Sequence, residues 1–143
     1  MEVNITEKRE KVLVTIECPA VTPEVLRLKD YISLYDGKLW AAQGNDKRKI
    51  SLRSILYFES VESKTFLYTE KQVLEIPQRL YELEEELTEH GFFRCSKSMI
   101  VNLNLIQSLQ PEINRSILAT MQGGDRITIS RRYVKALLEK LSL

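Results

Sequence analysis

The chain has 143 residues, of which 43% are apolar, and its 21 Lys and Arg nearly balance its 20 Asp and Glu. This length and composition favour one compact globular domain with a small appendage and argue against a disordered or low-complexity protein. No apolar run reaches the roughly 20 residues that a membrane span needs, and the N-terminus lacks the hydrophobic stretch of a signal peptide, so we expect a cytoplasmic protein.

The first 37 residues predict a strand followed by a helix. Segment 12–18 places an apolar residue at every second position, as a strand with one buried face does, and Pro19 ends it. Thr22, followed by Pro and Glu, indicates a helix start, and Gly37 marks its end. A segment this short cannot bury enough surface to fold alone. We therefore expect residues 1–37 to form an extension that mediates dimerisation or docks a regulatory partner.

From Lys38 onward, short apolar runs alternate with turn signals, which predicts a mainly β domain with short helices at residues 38–143. The polar stretches GNDKRK and VESK predict hairpin turns, as does GGD further along the chain. Predicted strands cover 39–42, 49–52, 55–60, 65–69, 73–76, 92–95, 99–101, 105–109, 117–121 and 126–129. One predicted helix spans YELEEELTEH before Gly91, and another follows Ser130 as N-cap.

Positive charge is concentrated in the last third of the chain. Residues 92–143 hold eight Lys and Arg against three acids, which leaves thirteen against seventeen in the remainder. Two short segments, FFRCSKSMIVN at Phe92 and TISRRYV at Thr128, interleave these cations with Ser and Thr. Such side chains suit DNA phosphates and base edges, so the pattern favours a polyanion-binding face.

The sequence offers little for catalysis or for metal binding. His90 is the only histidine and has no neighbouring nucleophile motif, and GGD does not lead into a helix as a phosphate-binding loop does. Cys18 and Cys95 fit no metal-ligand spacing, so we expect free thiols. The prediction is a protein that is not an enzyme, with no catalytic residues, no metal, no cofactor and no small-molecule substrate. No pair of adjacent helices could form a helix-turn-helix either.

Several motifs together resemble one known family. ILYFES near Ile55, GFFRCSKSMIVNLNLI, the GGD hairpin and the terminal TISRRYVKAL closely resemble the LytTR DNA-binding domain, the output module of many bacterial response regulators. The resemblance covers roughly Lys38 to Leu143. It implies an elongated domain of small packed β sheets that places loops, and not a recognition helix, into successive major grooves of double-stranded DNA.

The resemblance places DNA-facing residues in three segments: the turn after YFES, the segment after the two phenylalanines, and the start of the last helix. Lys97 and Arg132 are the main candidates for base contacts. Arg can bond guanine O6 and N7 together, Lys can bridge the same acceptors, and Ser or Thr can reach phosphates. An alternative for Arg94 is an ion pair with a surface carboxylate. The candidate DNA-binding residues are Lys64, Thr65, Arg94, Ser96, Lys97, Ser98, Arg131 and Arg132.

Function follows from this resemblance as an expectation. The chain is expected to be a stand-alone transcriptional regulator without a receiver domain, acting as a homodimer on repeated promoter half-sites. The resemblance also points to a regulatory membrane protein as a partner. The alternative is a LytTR-like interaction module that regulates a partner protein without reading DNA. Basic residues at all three segments favour DNA binding.

Overall fold

The computed structural model describes all 143 residues and contains three α-helices and ten strands. Short 3₁₀ turns at Leu52–Ser54, Thr88–His90 and Leu103–Leu105 join some of them. The elements in chain order are α1 (Pro23–Leu34), β1 (Lys38–Gln43), β2 (Asp46–Ser51), β3 (Tyr57–Val61), β4 (Lys64–Tyr68), β5 (Val73–Ile76), α2 (Leu80–Leu87), β6 (Phe92–Arg94), β7 (Met99–Asn102), β8 (Ile106–Pro111), β9 (Ile117–Met121), β10 (Arg126–Ile129) and α3 (Arg131–Leu141).

The strands form two antiparallel sheets. The larger has seven strands in the order β2-β1-β5-β4-β3-β7-β6, and the smaller has three in the order β10-β9-β8. The predicted fold class, mainly β with short helices, is confirmed. None of the three helices is long and apolar enough to cross a membrane.

Two hydrophobic cores lie on opposite faces of the shared strands β3 and β7. Because successive side chains of a strand point to opposite faces, Phe58 and Ile100 belong to the first core, while Tyr57 and Val101 pack in the second. The first core also holds the buried leucines of α2. The second lies between the larger sheet, the three-stranded sheet and α3, whose Leu137 is fully buried.

The N-terminal region differs in part from the prediction. Helix α1 forms where expected, and Thr22 accepts a hydrogen bond from the amide of Val25 at 3.3 Å. Segment 12–18, however, forms no strand. Its side chains at Val12 and Val14 are 95% and 56% exposed, and no neighbouring strand supplies the backbone partners that a sheet requires. Helix α1 packs Leu34 into the first core, so only residues 1–22 stand apart from the packed domain.

The hairpin turns are tighter than the polar stretches suggested. Strand β2 runs through most of GNDKRK and leaves only Gly44 and Asn45 in the turn, because an edge strand tolerates charged side chains. The β3–β4 hairpin likewise turns on two residues, Glu62 and Ser63, at φ of 50° and 68°. Gly91 has φ of 86° and ends the turn that follows α2, as predicted.

Candidate nucleic-acid interface

The loop between β6 and β7, residues 95–98, is held by short local hydrogen bonds. The amide of Cys95 donates to the carbonyl of Met99 at 3.1 Å, and the amide of Ser98 donates to Ser96 Oγ at 3.2 Å. Cys95 is fully buried, whereas Lys97 and Ser98 are exposed. The loop therefore presents Lys97 to solvent from a defined backbone.

Two backbone hydrogen bonds join this loop to the other two predicted segments. The amide of Ser60, near the end of β3, donates to the carbonyl of Ser98 at 2.8 Å. The amide of Ser130, directly before α3, donates to the carbonyl of Cys95, also at 2.8 Å. Lys97 and Arg132 are each two residues from this second bond. The β6–β7 loop thus lies between the β3 end of the β3–β4 hairpin and the start of α3.

At the β3–β4 turn the two predicted residues point in opposite directions. Lys64 is exposed, and its Nζ lies 3.9 Å from Glu75 Oε1. Such a surface ion pair contributes little to stability, so the ammonium can exchange Glu75 for another partner. Thr65 is only 4% exposed and faces the first core with Leu67. Strand alternation turns Thr65 inward, and this burial counts against the predicted DNA contact of its side chain.

Arg94 is bonded through all three guanidinium nitrogens to acceptors of the protein itself. Its Nε donates to the carbonyl of Ser96 at 2.7 Å, its Nη2 donates to the carbonyl of Lys97, and its Nη1 lies 3.3 Å from Glu84 Oε1. Its side chain is 19% exposed. The structure thus shows the alternative, an ion pair with a carboxylate, and adds two bonds to the loop backbone that the sequence did not reveal.

The start of α3 presents two exposed arginines. Arg131 and Arg132 occupy its first turn, and Ser130 is the N-cap residue, as predicted, although its side chain makes no capping bond. The Arg132 guanidinium lies 5.5 Å from the ring centroid of Tyr133. The positive end of the helix dipole disfavours cations here by about 0.3 to 1 kcal/mol each. A phosphate or a base acceptor at this position would offset that cost.

The GGD turn of the β9–β10 hairpin is tied to the larger sheet. The hydroxyl of Tyr57 donates to Asp125 Oδ2 at 3.0 Å, and its ring stacks on Tyr68 with centroids 4.4 Å apart. Tyr68 in turn donates to Glu59 Oε1 at 2.8 Å, and burial together with this carboxylate raises the pKa of Tyr68 to about 12. These contacts fix the three-stranded sheet on the larger sheet.

The structure contains no group of three or more acidic, Cys or His residues that could hold a metal ion.

Comparison with known families shows to which family the chain belongs. The family described as the LytTr DNA-binding domain matches residues 46–142. The chain belongs to the LytTR DNA-binding domain family. This family is a class of DNA-binding domains and not of enzymes, and the resemblance seen in the sequence is confirmed.

Relatives of this LytTR chain are named as sensory transduction or transcriptional regulatory proteins. The sensory transduction protein LytT of Enterococcus faecalis is 30% identical over 102 residues, which cover 71% of this chain and 42% of that protein. The transcriptional regulatory protein YpdB of Escherichia coli is 31% identical over 131 residues, 90% of this chain and 50% of that protein. The chain therefore spans about half the length of these two curated relatives.

A solved LytTr DNA-binding domain from Bacillus cereus has the same fold. It superposes with a TM-score of 0.71 at 24% identity and covers 76% of this chain and 99% of that domain. An HTH-type transcriptional regulator of Staphylococcus aureus is 35% identical over 94 residues, 66% of this chain and 63% of that protein. In the LytTR chain itself, strands separate α1, α2 and α3, so no helix-turn-helix forms.

Proposed function

We propose that this chain binds double-stranded DNA in a sequence-specific manner and regulates transcription. The observation that carries the proposal is the pair of backbone hydrogen bonds through which the β6–β7 loop contacts Ser60 and Ser130. These bonds bring exposed Lys97 close to the helix start that carries Arg131 and Arg132. The cations can therefore share one footprint on a duplex, and DNA binding would place the protein in the bacterial cytoplasm.

The roles of the exposed cations follow from their chemistry. Arg132 and Lys97 are the proposed base contacts, since both can engage guanine O6 and N7 in the major groove. Lys64 and Arg131 are proposed phosphate contacts, with Ser96 and Ser98 beside Lys97. Thr65 and Arg94 are not included, because the first is buried and the second is bonded to the protein.

The test begins with selection of bound sequences from random duplex DNA, followed by fluorescence anisotropy on the selected site. Lys97→Ala and Arg132→Ala should each weaken binding by about 5- to 150-fold, equivalent to about 1 to 3 kcal/mol. Lys71→Ala is the matched control, because Lys71 is exposed in the β4–β5 turn, at the end of β4 opposite the β3–β4 turn. Unchanged affinity in both variants, or no DNA binding by the wild-type chain at low salt, would overturn the proposal.

A homodimer on repeated half-sites is the second part of the proposal. It is supported by residues 1–22, which expose Val3, Ile5, Val12 and Val14 without packing them on the domain. A second copy could supply the strand partner that segment 12–18 lacks. A regulatory membrane protein is the partner that would compete for the same segment.

Sedimentation of the full chain, with and without a selected DNA repeat, measures the oligomeric state. Val12→Asp with Val14→Asp should give monomers, while the domain stays folded because neither side chain contacts either core. Truncation at Lys38 is a poorer test, since it removes Leu34 from the first core. A wild-type chain that stays monomeric on repeated sites would contradict the proposed dimer. It would favour the membrane protein as the partner of the N-terminal segment.

A further inference from the structure

Two loops of the proposed interface are each bonded by an arginine that also contacts a glutamate of α2. Arg79, directly before α2, donates from Nη1 to the carbonyl of Ser63 in the β3–β4 turn at 3.1 Å. Arg94 donates to the carbonyls of Ser96 and Lys97 in the β6–β7 loop. Each guanidinium thus satisfies backbone acceptors at the tip of a loop.

Both arginines are themselves fixed by carboxylates of α2. The amide of Arg79 donates to Glu82 Oε1 at 3.2 Å, and Glu84 Oε1 lies 3.3 Å from Arg94 Nη1. The helix is anchored in turn, since Leu80, Leu83 and Leu87 are at most 6% exposed in the first core. A rigid helix therefore connects two segments that are 30 residues or more apart in sequence.

The conformations of these loops need such support. Glu62 and Ser63 have positive φ, a backbone conformation that residues other than glycine rarely adopt. The loop at 95–98 has no helix or strand of its own. A loop that becomes ordered only on binding lowers the affinity for DNA, because its ordering costs entropy. A loop that is already ordered in the free protein avoids this cost. A planar guanidinium bonded to two carbonyls orders a backbone more firmly than an ammonium can.

We infer that Arg94 and Arg79 are positioning residues, which hold the β6–β7 loop and the β3–β4 turn in the DNA-binding conformation without contacting DNA. Helix α2 acts as the support for both, through Glu84 and Glu82. This inference rests on the proposed function, because it assigns the two loops to DNA. It adds a role for residues outside the three segments, among them two glutamates of α2.

Arg94→Lys separates positioning from direct phosphate contact. Lysine binds phosphate well, so an arginine that only neutralises the DNA backbone can be replaced by it with little loss. A lysine cannot bond two carbonyls and a carboxylate in the fixed geometry of the guanidinium. We expect Arg94→Lys to weaken binding to the selected site about tenfold, with Arg48→Lys, an exposed β2 variant, as the matched control. Retained affinity in Arg94→Lys would overturn the role of Arg94.

Glu84→Ala gives a test of opposite sign. Removal of an acid raises the net positive charge, so electrostatics alone predicts tighter DNA binding. Positioning predicts weaker binding, by about threefold, since Arg94 loses its carboxylate. Glu85→Ala is the matched control: Glu85 is exposed on the same helix and makes no ion pair in the structure. Equal or tighter binding in Glu84→Ala would contradict the inference.

Amide hydrogen exchange in the free protein tests the same role without DNA. The amides of Ser60 and Ser130 donate to the carbonyls of Ser98 and Cys95, so their protection reports the loop conformation. Exchange at Ser60 should accelerate at least tenfold in Arg94→Lys, with unchanged protection in β9 as the check on global folding. Unchanged exchange would refute positioning. A wild-type chain that binds no DNA would refute the proposed function, while this measurement still decides whether Arg94 orders the loop.

Discussion

Leu137→Ala measures how firmly the helix that carries Arg131 and Arg132 is docked. Leu137 is fully buried in the second core, and the substitution removes three carbon atoms. At about 0.8 kcal/mol for each buried methylene, the transfer loss is about 2.4 kcal/mol. The cavity adds to it, since the surrounding strands relax only in part, so the free energy of unfolding should fall by about 3 to 4 kcal/mol.

Urea unfolding followed by circular dichroism gives this change. The matched control is Lys135→Ala, an exposed position on the same helix, which should alter the free energy of unfolding by less than about 0.5 kcal/mol. A loss below about 1 kcal/mol in Leu137→Ala would show that α3 does not rest on a packed core. The defined position of Arg131 and Arg132 would then have no structural basis.

Three further predictions concern other parts of the chain. Burial raises the pKa of the Cys95 thiol to about 12, so only exposed Cys18 should react with Ellman's reagent in the native protein, and both thiols in denaturant; two reacting thiols in the native state would contradict the packing. Burial also raises the pKa of Asp30 above its usual value, although the positive charge of nearby Lys140 acts to lower it. The ionised carboxylate at neutral pH therefore destabilises the fold. Asp30→Asn should therefore raise Tm at neutral pH and not near pH 3, and an equal gain at both would refute this cause. Gly91→Ala should cost at least about 1 kcal/mol in urea unfolding, because φ is 86° and a Cβ would lie 2.6 Å from the Asn104 amide nitrogen; an unchanged midpoint would show that the turn can adjust.

Local patterns predicted the elements whose ends carry turn signals. Strands β5, β9 and β10 have the predicted bounds, since Pro77 and GGD stop them. The charged stretch GNDKRK indicates a loop from its composition alone, but the pairing of β2 with β1 decides its structure, and an edge strand tolerates charged side chains. The predicted strand at 12–18 is absent for the converse reason. Alternating apolar residues permit a strand, but its backbone groups need a neighbouring strand as hydrogen-bond partner.

The candidate site was predictable in outline and not in detail. Resemblance to LytTR pointed to the three basic segments, and the exposure of Lys97, Arg131 and Arg132 is what a DNA contact needs. Whether Thr65 faces out or in depends on strand register, which the sequence did not fix. The bonds of Arg94 to two loop carbonyls depend on tertiary geometry that no local pattern encodes.

The relative positions of the three segments follow from the strands that both cores share. Strand β3 contributes Phe58 to the first core and Tyr57 to the second, and its end carries Ser60, which binds the β6–β7 loop. Strand β7 contributes Ile100 and Val101 in the same way, directly after that loop. A shift of one core relative to the other would therefore have to bend β3 and β7 and break packing on both faces. The β3–β4 turn and the β6–β7 loop adjoin strands that are packed on both faces, which would let the exposed cations keep the fixed spacing that base reading demands.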